Sequence, residues 1–80
     1  MESLENVELF GAAACPYTGE LREHLQWSGV RFVEYDVDAD IGARARLKVL
    51  TGGTLAVPVL VENGRVTQIG WRGRSCVVAP

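Results

Sequence analysis

Val7-Glu8-Leu9-Phe10-Gly11-Ala12-Ala13-Ala14-Cys15-Pro16-Tyr17-Thr18 is the stretch on which the reading of the fold turns. Its first four residues are short, mostly apolar and β-prone, and they run into Gly11 and three alanines, which predicts a buried first strand closed by a tight turn. Pro16 then marks the start of a helix, because the N–H that a proline lacks has no intrahelical partner at the first helical position. The helix is predicted over residues 16–28, with Gly29 as its stop. Tyr17, Leu21, Leu25 and Ser28 form its inward stripe, and Glu20, Glu23 and His24 turn towards solvent.

Working outward, residues 31–37 alternate in strand fashion and follow a helix, so they are predicted to lie parallel to the first strand. Asp40 can cap a second helix over residues 41–50, ended by Thr51-Gly52-Gly53. Residues 58–62 and 65–69 flank Asn63-Gly64, a strong signal for a type I′ hairpin, so the last two strands should be antiparallel. Nothing after Gly70 carries a helical stripe, and an irregular tail is expected from Trp71 to Pro80. The expected fold is α/β, in the order β-α-β-α-β-β, with a four-stranded mixed sheet and no final helix.

The 80 residues contain no linker-like segment and read as one domain over residues 1–80. A chain of this size buries only about 60 to 65 % of its unfolded surface, so a three-layer fold with many elements could not be filled. The net charge of −2 argues against a nucleic-acid binder. The longest apolar run, residues 55–61, contains Pro58 and is far short of the roughly 20 residues a membrane span needs. Met1-Glu2-Ser3-Leu4-Glu5 is acidic where a secretory signal is basic, so a cytoplasmic location is expected. Two cysteines, Cys15 and Cys76, are too few for a disulfide framework, and with His24 as the only further soft ligand no metal site is expected.

Cys15 is the residue that carries chemistry. At a helix start its sulfur faces unpaired N–H groups and the positive end of the helix dipole, both of which favour the thiolate, the species that attacks disulfides and peroxides. Thr18, one turn on, can offer its hydroxyl to that sulfur. Ala56-Val57-Pro58 is the second signal: Pro58 at the start of the third strand leaves the backbone of Val57 free to pair with an extended thiol substrate. The bland reading of a Cys-Pro dipeptide is a small buried hydrophobe beside a helix start, and the preceding strand, the following helix and the distant Val-Pro pair weigh against it.

On these residues, together with Thr51-Gly52-Gly53, Val59 and Gly70, the chain resembles the glutaredoxin-like branch of the thioredoxin superfamily over nearly its whole length. It is more narrowly similar to the Uxx-star group, whose members carry selenocysteine or cysteine before x-x-Thr. Members of that group end in a segment like Gly70-Trp71-Arg72-Gly73-Arg74-Ser75-Cys76. The resemblance implies a thioredoxin-type core lacking its usual last helix, a proline at position 58 that is cis and lies against the thiol, and redox chemistry at position 15. Pro16, Tyr17, Val57, Pro58, Gly70, Trp71 and Arg72 are the expected substrate contacts. Two departures bear on glutathione: Ala12 stands where glutaredoxins have a lysine, and Arg72 stands where they have aspartate. Glutathione is therefore left open as a cosubstrate, held by Tyr17, the Val57 backbone and Arg72, with no bound cofactor expected.

The fourth strand must return to the site, which brings Gly70 near Cys15. Six further residues reach at most about 20 Å, and Gly73 allows a turn, so Cys76 can fold back as a resolving cysteine. An ordinary tail cysteine is the alternative. In that case Arg72 and Arg74 are solvated charges, although near the site they would also stabilise a thiolate. His24 lies nine residues along the helix from Cys15, about 13 Å, and reads as a surface residue beside Glu20. Trp27 and Trp71 read as packing residues, and Arg44, Arg46 and Lys48 as a solvated helix face.

The expected activity is thiol–disulfide exchange, with Cys15, Thr18 and Cys76 as the catalytic residues. The alternatives are a glutathione and iron–sulfur binding module or a redox-sensing one. The expected partners are a disulfide-containing protein or a small thiol such as glutathione, with the chain a monomer or weak dimer.

Overall fold

Strand β1 (Val7–Gly11) is buried along its whole length and lies at the centre of the main sheet, with a strand on each edge and a helix on each face. The structure, a computed structural model, describes residues 6–78. The reading of Met1 to Glu5 as a non-secretory start, and the last two residues of the tail, lie outside the described residues. After β1 come α1 (Pro16–Trp27), β2 (Val33–Asp36), α2 (Ile41–Thr51), β3 (Ala56–Val57), β4 (Val59–Glu62), β5 (Arg65–Ile69) and β6 (Cys76–Val77). β2 is parallel to β1, β4 antiparallel to it, and β5 antiparallel to β4, giving the sheet order β2-β1-β4-β5. This is the expected mixed four-stranded sheet.

Period-two alternation sends the side chains of β1 to both faces, and each face receives one helix. Val7, Leu9 and Leu60 pack with Leu21 and Leu25 of α1. Phe10, Val59 and Val61 pack on the other side with Ala43 and Leu47 of α2. The inward positions of α1 are Thr18, Leu21 and Leu25, one residue off the expected stripe at its start, with Tyr17 half-buried and Ser28 exposed. Thr18 takes the inward place because it packs on Gly11. Trp27, expected as a packing residue, is 89 % exposed: it lies two positions from Leu25, on the opposite side of the helix.

Asp40 caps α2 by accepting a bond from the Ala43 N–H at 3.0 Å, and Gly52, at φ 77°, ends it. Asn63 and Gly64 both have positive φ, 53° and 81°, as a type I′ turn requires. β2 is shorter than residues 31–37 because its register on β1 runs only from Glu8 to Gly11. The tail differs more. Among the described residues it carries no helix, but it is not irregular: Trp71 and Arg74 form a bridge, and β6 pairs antiparallel with β3. The physical reason is that β3 is set apart from the main sheet by Pro58 and needs a partner for its backbone groups.

The solvated-face reading of α2 is also corrected. Glu8 is buried on β1, and a buried carboxylate needs a partner. Arg46 supplies it, with Nη1 2.8 Å and Nη2 3.1 Å from the two carboxylate oxygens, while the Tyr35 hydroxyl donates at 3.2 Å. The guanidinium also lies over the rings of Phe10 and Tyr35. Arg44 donates to the Val37 carbonyl at 3.0 Å, so only Lys48 of the three stays as expected.

The Arg46 hydrogen bonds hold the Glu8 carboxyl below its ordinary value, against the opposing effect of burial. Because the folded value is lowered, the stabilisation is complete above the unfolded carboxylate value and is lost as pH falls through the folded one. Arg46→Ala is expected to cost about 1 to 2 kcal/mol at pH 7, less than a fully buried pair because the guanidinium is half exposed. Urea melts at pH 7 and pH 3 check this, and the gap between variant and parent should narrow in acid.

Candidate active site

Cys15 is the residue before the first turn of α1, in an extended conformation, with Pro16 at the first helical position. The loop that presents it is fixed at both ends. The Cys15 N–H donates to the Ala12 carbonyl at 3.0 Å, and the Thr18 N–H donates to the Cys15 carbonyl at 3.1 Å. Thr18 is buried and its Oγ1 accepts from the Ala12 N–H at 3.3 Å, so the hydroxyl oxygen is engaged by the loop backbone. A Cβ at Gly11 would overlap Thr18 Cγ2, which makes glycine the residue that lets helix and strand close this tightly. The first strand's terminal glycine was legible in the sequence, but its contact with Thr18 was not.

The Cys15 sulfur is disulfide-bonded to Cys76, with the two Cα atoms 6.0 Å apart across 61 residues of sequence. The Val57 carbonyl oxygen lies 3.9 Å from the same sulfur. The Val57–Pro58 peptide is cis, and Pro58 is fully buried. Tyr17 and Cys76 pack as half-buried groups against the core cluster that contains Cys15 and Val57. Pro16 is exposed beside them.

Gly70 returns the chain to this point through a 2.7 Å bond from its N–H to the Pro58 carbonyl. Its φ of 86° and the approach of the Arg74 carbonyl, 2.8 Å from where a Cβ would sit, require glycine there. Trp71 and Arg74 then exchange two backbone bonds, at 2.7 and 2.9 Å, around Arg72 and Gly73, both at positive φ. This hairpin turn aims Cys76 at Cys15.

The turn also builds a cavity of about 280 Å³ lined by Glu20, Trp71, Arg72 and Arg74. Arg72 lies over Trp71 and Arg74 over Tyr17. His24 stacks on Trp71 with ring centroids 5.0 Å apart, rather than pairing with Glu20, because the tail brings the indole over the helix. Glu20 and His24 were read as surface positions, and no local pattern marks the cavity that the turn creates. Among the described residues no group of three or more His, Cys, Asp or Glu is placed to hold a metal ion, and no helix is long and apolar enough to cross a membrane.

The glutaredoxin family model matches residues 7–67 of the chain. This chain belongs to the glutaredoxin family. A probable glutaredoxin from Synechocystis, slr1562, is 33% identical over 57 residues, a region covering 71% of this glutaredoxin chain and 52% of the relative. The chain thus spans about half the length of the curated relative it matches. Among solved structures, a mutant of the thioredoxin-like protein BC3987 superposes with TM-score 0.75 at 28% identity, over 84% of this chain and 83% of that one. The glutaredoxin from Archaeoglobus fulgidus shares the fold, with TM-score 0.71 at 22% identity, over 90% of this chain and 87% of its own. The family match ends before Gly70, so the hairpin turn and Cys76 lie beyond the part of the glutaredoxin chain that the family describes.

Gly70→Ala should impair closure of the Cys15–Cys76 bond by about tenfold or more, since both the left-handed backbone and the Arg74 carbonyl oppose a side chain there. Equilibration in a graded thiol–disulfide buffer, followed by alkylation and intact mass, reads the closed fraction directly.

Proposed function

We propose that the chain is a thiol–disulfide oxidoreductase in which Cys15 is the attacking sulfur and Cys76 the resolving one. The observation that carries the reading is the pairing of the two sulfurs at the start of α1, with Cys15 at the positive end of the helix dipole, which favours an anion. In the reduced chain the Cys15 thiolate attacks one sulfur of a substrate disulfide, forming a mixed disulfide and expelling the other sulfur as a thiolate that takes a proton from water. The Cys76 thiolate then attacks the Cys15 sulfur, the substrate sulfur leaves as thiolate, and the chain is left oxidised by two electrons. Two molecules of a small thiol restore it, becoming a disulfide themselves.

Thr18 contributes by holding the loop that presents the sulfur, and its hydroxyl proton remains available to an acceptor such as the reduced thiolate. Glutathione fits as the small thiol, in keeping with the family. Arg72 and Arg74 supply the cations that Ala12 does not, the Val57 backbone offers a pairing edge, and the cavity beside Trp71 has room for a carboxylate group. Pro16 and Tyr17 border the surface around it, and the buried Pro58 and Gly70 hold the backbone beneath. The closer likeness to the Uxx-star group, the cytoplasmic setting and action as a monomer or weak dimer belong to the same reading. A sulfur bonded to Cys76 is not free to ligate iron, which weighs against the cluster-binding alternative.

Reduction of a glutathione mixed disulfide by the intact chain tests the activity, with Cys15→Ser expected to abolish turnover. Absence of turnover in the parent, with the disulfide still forming, would identify a redox-sensing module instead. Cys15 is also expected to alkylate at least about tenfold faster than Cys76 in the reduced chain at pH 6, measured by peptide mass mapping.

A further inference from the structure

β3 is two residues long and stands outside the main sheet; among the described residues its strand partner is β6. Val57 faces Cys76 and Ala56 faces Val77. The Val78 N–H donates to the Leu55 carbonyl at 3.0 Å, which fixes the phase of the ladder: Val57 and Cys76 form the next hydrogen-bonded pair. Alternation then turns Cys76 and Val78 inward and Val77 outward. Val78 is 5 % exposed and packs in the cluster with Leu55 and Val57, while Val77 is 82 % exposed. The tail from residue 75 to residue 78 is thus laid down as an extended peptide is on an open sheet edge, with main-chain bonds for affinity and pockets for alternate side chains. Its cysteine is bonded to the attacking sulfur.

The backbone edge at Val57 is the pairing edge already given to the substrate; we propose that the tail residues occupy the substrate's place on it, and that the pocket filled by Val78 selects a peptide whose cysteine is followed, two residues on, by a small aliphatic side chain. The proposal rests on the oxidoreductase reading and names its substrate class. When the Cys15–Cys76 bond is reduced by two equivalents of a small thiol, the tail can leave and expose the backbone groups of Leu55 and Val57. The Cys15 thiolate then attacks the disulfide of a docked peptide, binding the peptide's sulfur in the place of Cys76 and expelling the other sulfur as thiolate. One edge cannot pair two strands. Return of the tail, with the Cys76 thiolate attacking the Cys15 sulfur, therefore displaces the peptide backbone in the same event that releases its sulfur as a thiolate.

The test uses the full chain carrying Cys76→Ser, reduced, and three blocked hexapeptides activated as mixed disulfides with thionitrobenzoate, whose release is followed by absorbance. The first copies the tail, Arg-Ser-Cys-Val-Val-Ala; the second puts Asp directly after the cysteine and the third puts Asp two residues after it. Each rate is normalised to that with a free small thiol. The first two peptides are expected to react within about twofold of each other and the third about tenfold more slowly, since only the third buries a charge where Val78 sits. Equal rates for all three would overturn the selection at the Val78 position while leaving Cys15 a working nucleophile. Failure of every peptide and of bis(2-hydroxyethyl) disulfide would overturn the oxidoreductase reading as well. Adding Val78→Asp, which weakens the tail's own hold, should raise the rate of the first peptide several-fold; no rise, with the small disulfide still reacting, would overturn competition between tail and substrate.

Discussion

The close approach of Thr18 to Gly11 governs where everything else at the site can stand. A helix packed against the end of its own preceding strand, with a threonine filling the space where a side chain on Gly11 would be, leaves only four residues to make the connection. Those residues have to turn sharply, and the Ala12 carbonyl and N–H are both used to hold the turn. Cys15 is thereby fixed at the start of α1, buried, with its sulfur directed at the backbone of Val57. Loosening that contact would move the sulfur relative to both the helix N-terminus and the Val57 backbone.

The described residues form two helices, one for each face of the sheet, and small cores are hard to stabilise. The tail supplies part of what a further helix would. Trp71 packs against the cluster of Leu9, Leu21 and Leu60, and Val78 enters the opposite one. The Cys15–Cys76 bond closes a loop of some 61 residues, a constraint on the unfolded chain of about 4 kcal/mol in the loop-entropy picture. Oxidation state and stability are therefore coupled, and the segment that completes the core in the oxidised chain is the one that the Cys15–Cys76 bond holds. Glu8 and Arg46 do different work: they pin α2 to β1 through a buried carboxylate, independently of the sulfurs.

The elements most legible in the sequence were those whose signals are local. Gly11 and Pro16 bracket a turn and a helix start, Asp40 and Gly52 bracket α2, and Asn63-Gly64 names its own hairpin. The return of Gly70 to the site followed from strand direction alone. Harder to read were Glu8, which alternation places inside but whose partner is 38 residues away, and Trp27, whose bulk suggested packing although its helical position faces water. The Trp71–Arg74 turn carried a signal in Gly73, but Arg72 at positive φ is not a residue that announces such a conformation.

By itself the sequence determined the order of the two helices and the four strands of the main sheet, the family likeness and the placing of a cysteine at a helix N-terminus, because capping, turn chemistry and hydrophobic period act over a few residues. Tertiary structure alone decided that Cys76 meets Cys15, that the tail pairs with β3, and that Arg46 neutralises Glu8. Each of these joins groups far apart along the chain, and such pairings are set by which backbone edges and buried charges the assembled fold leaves unsatisfied.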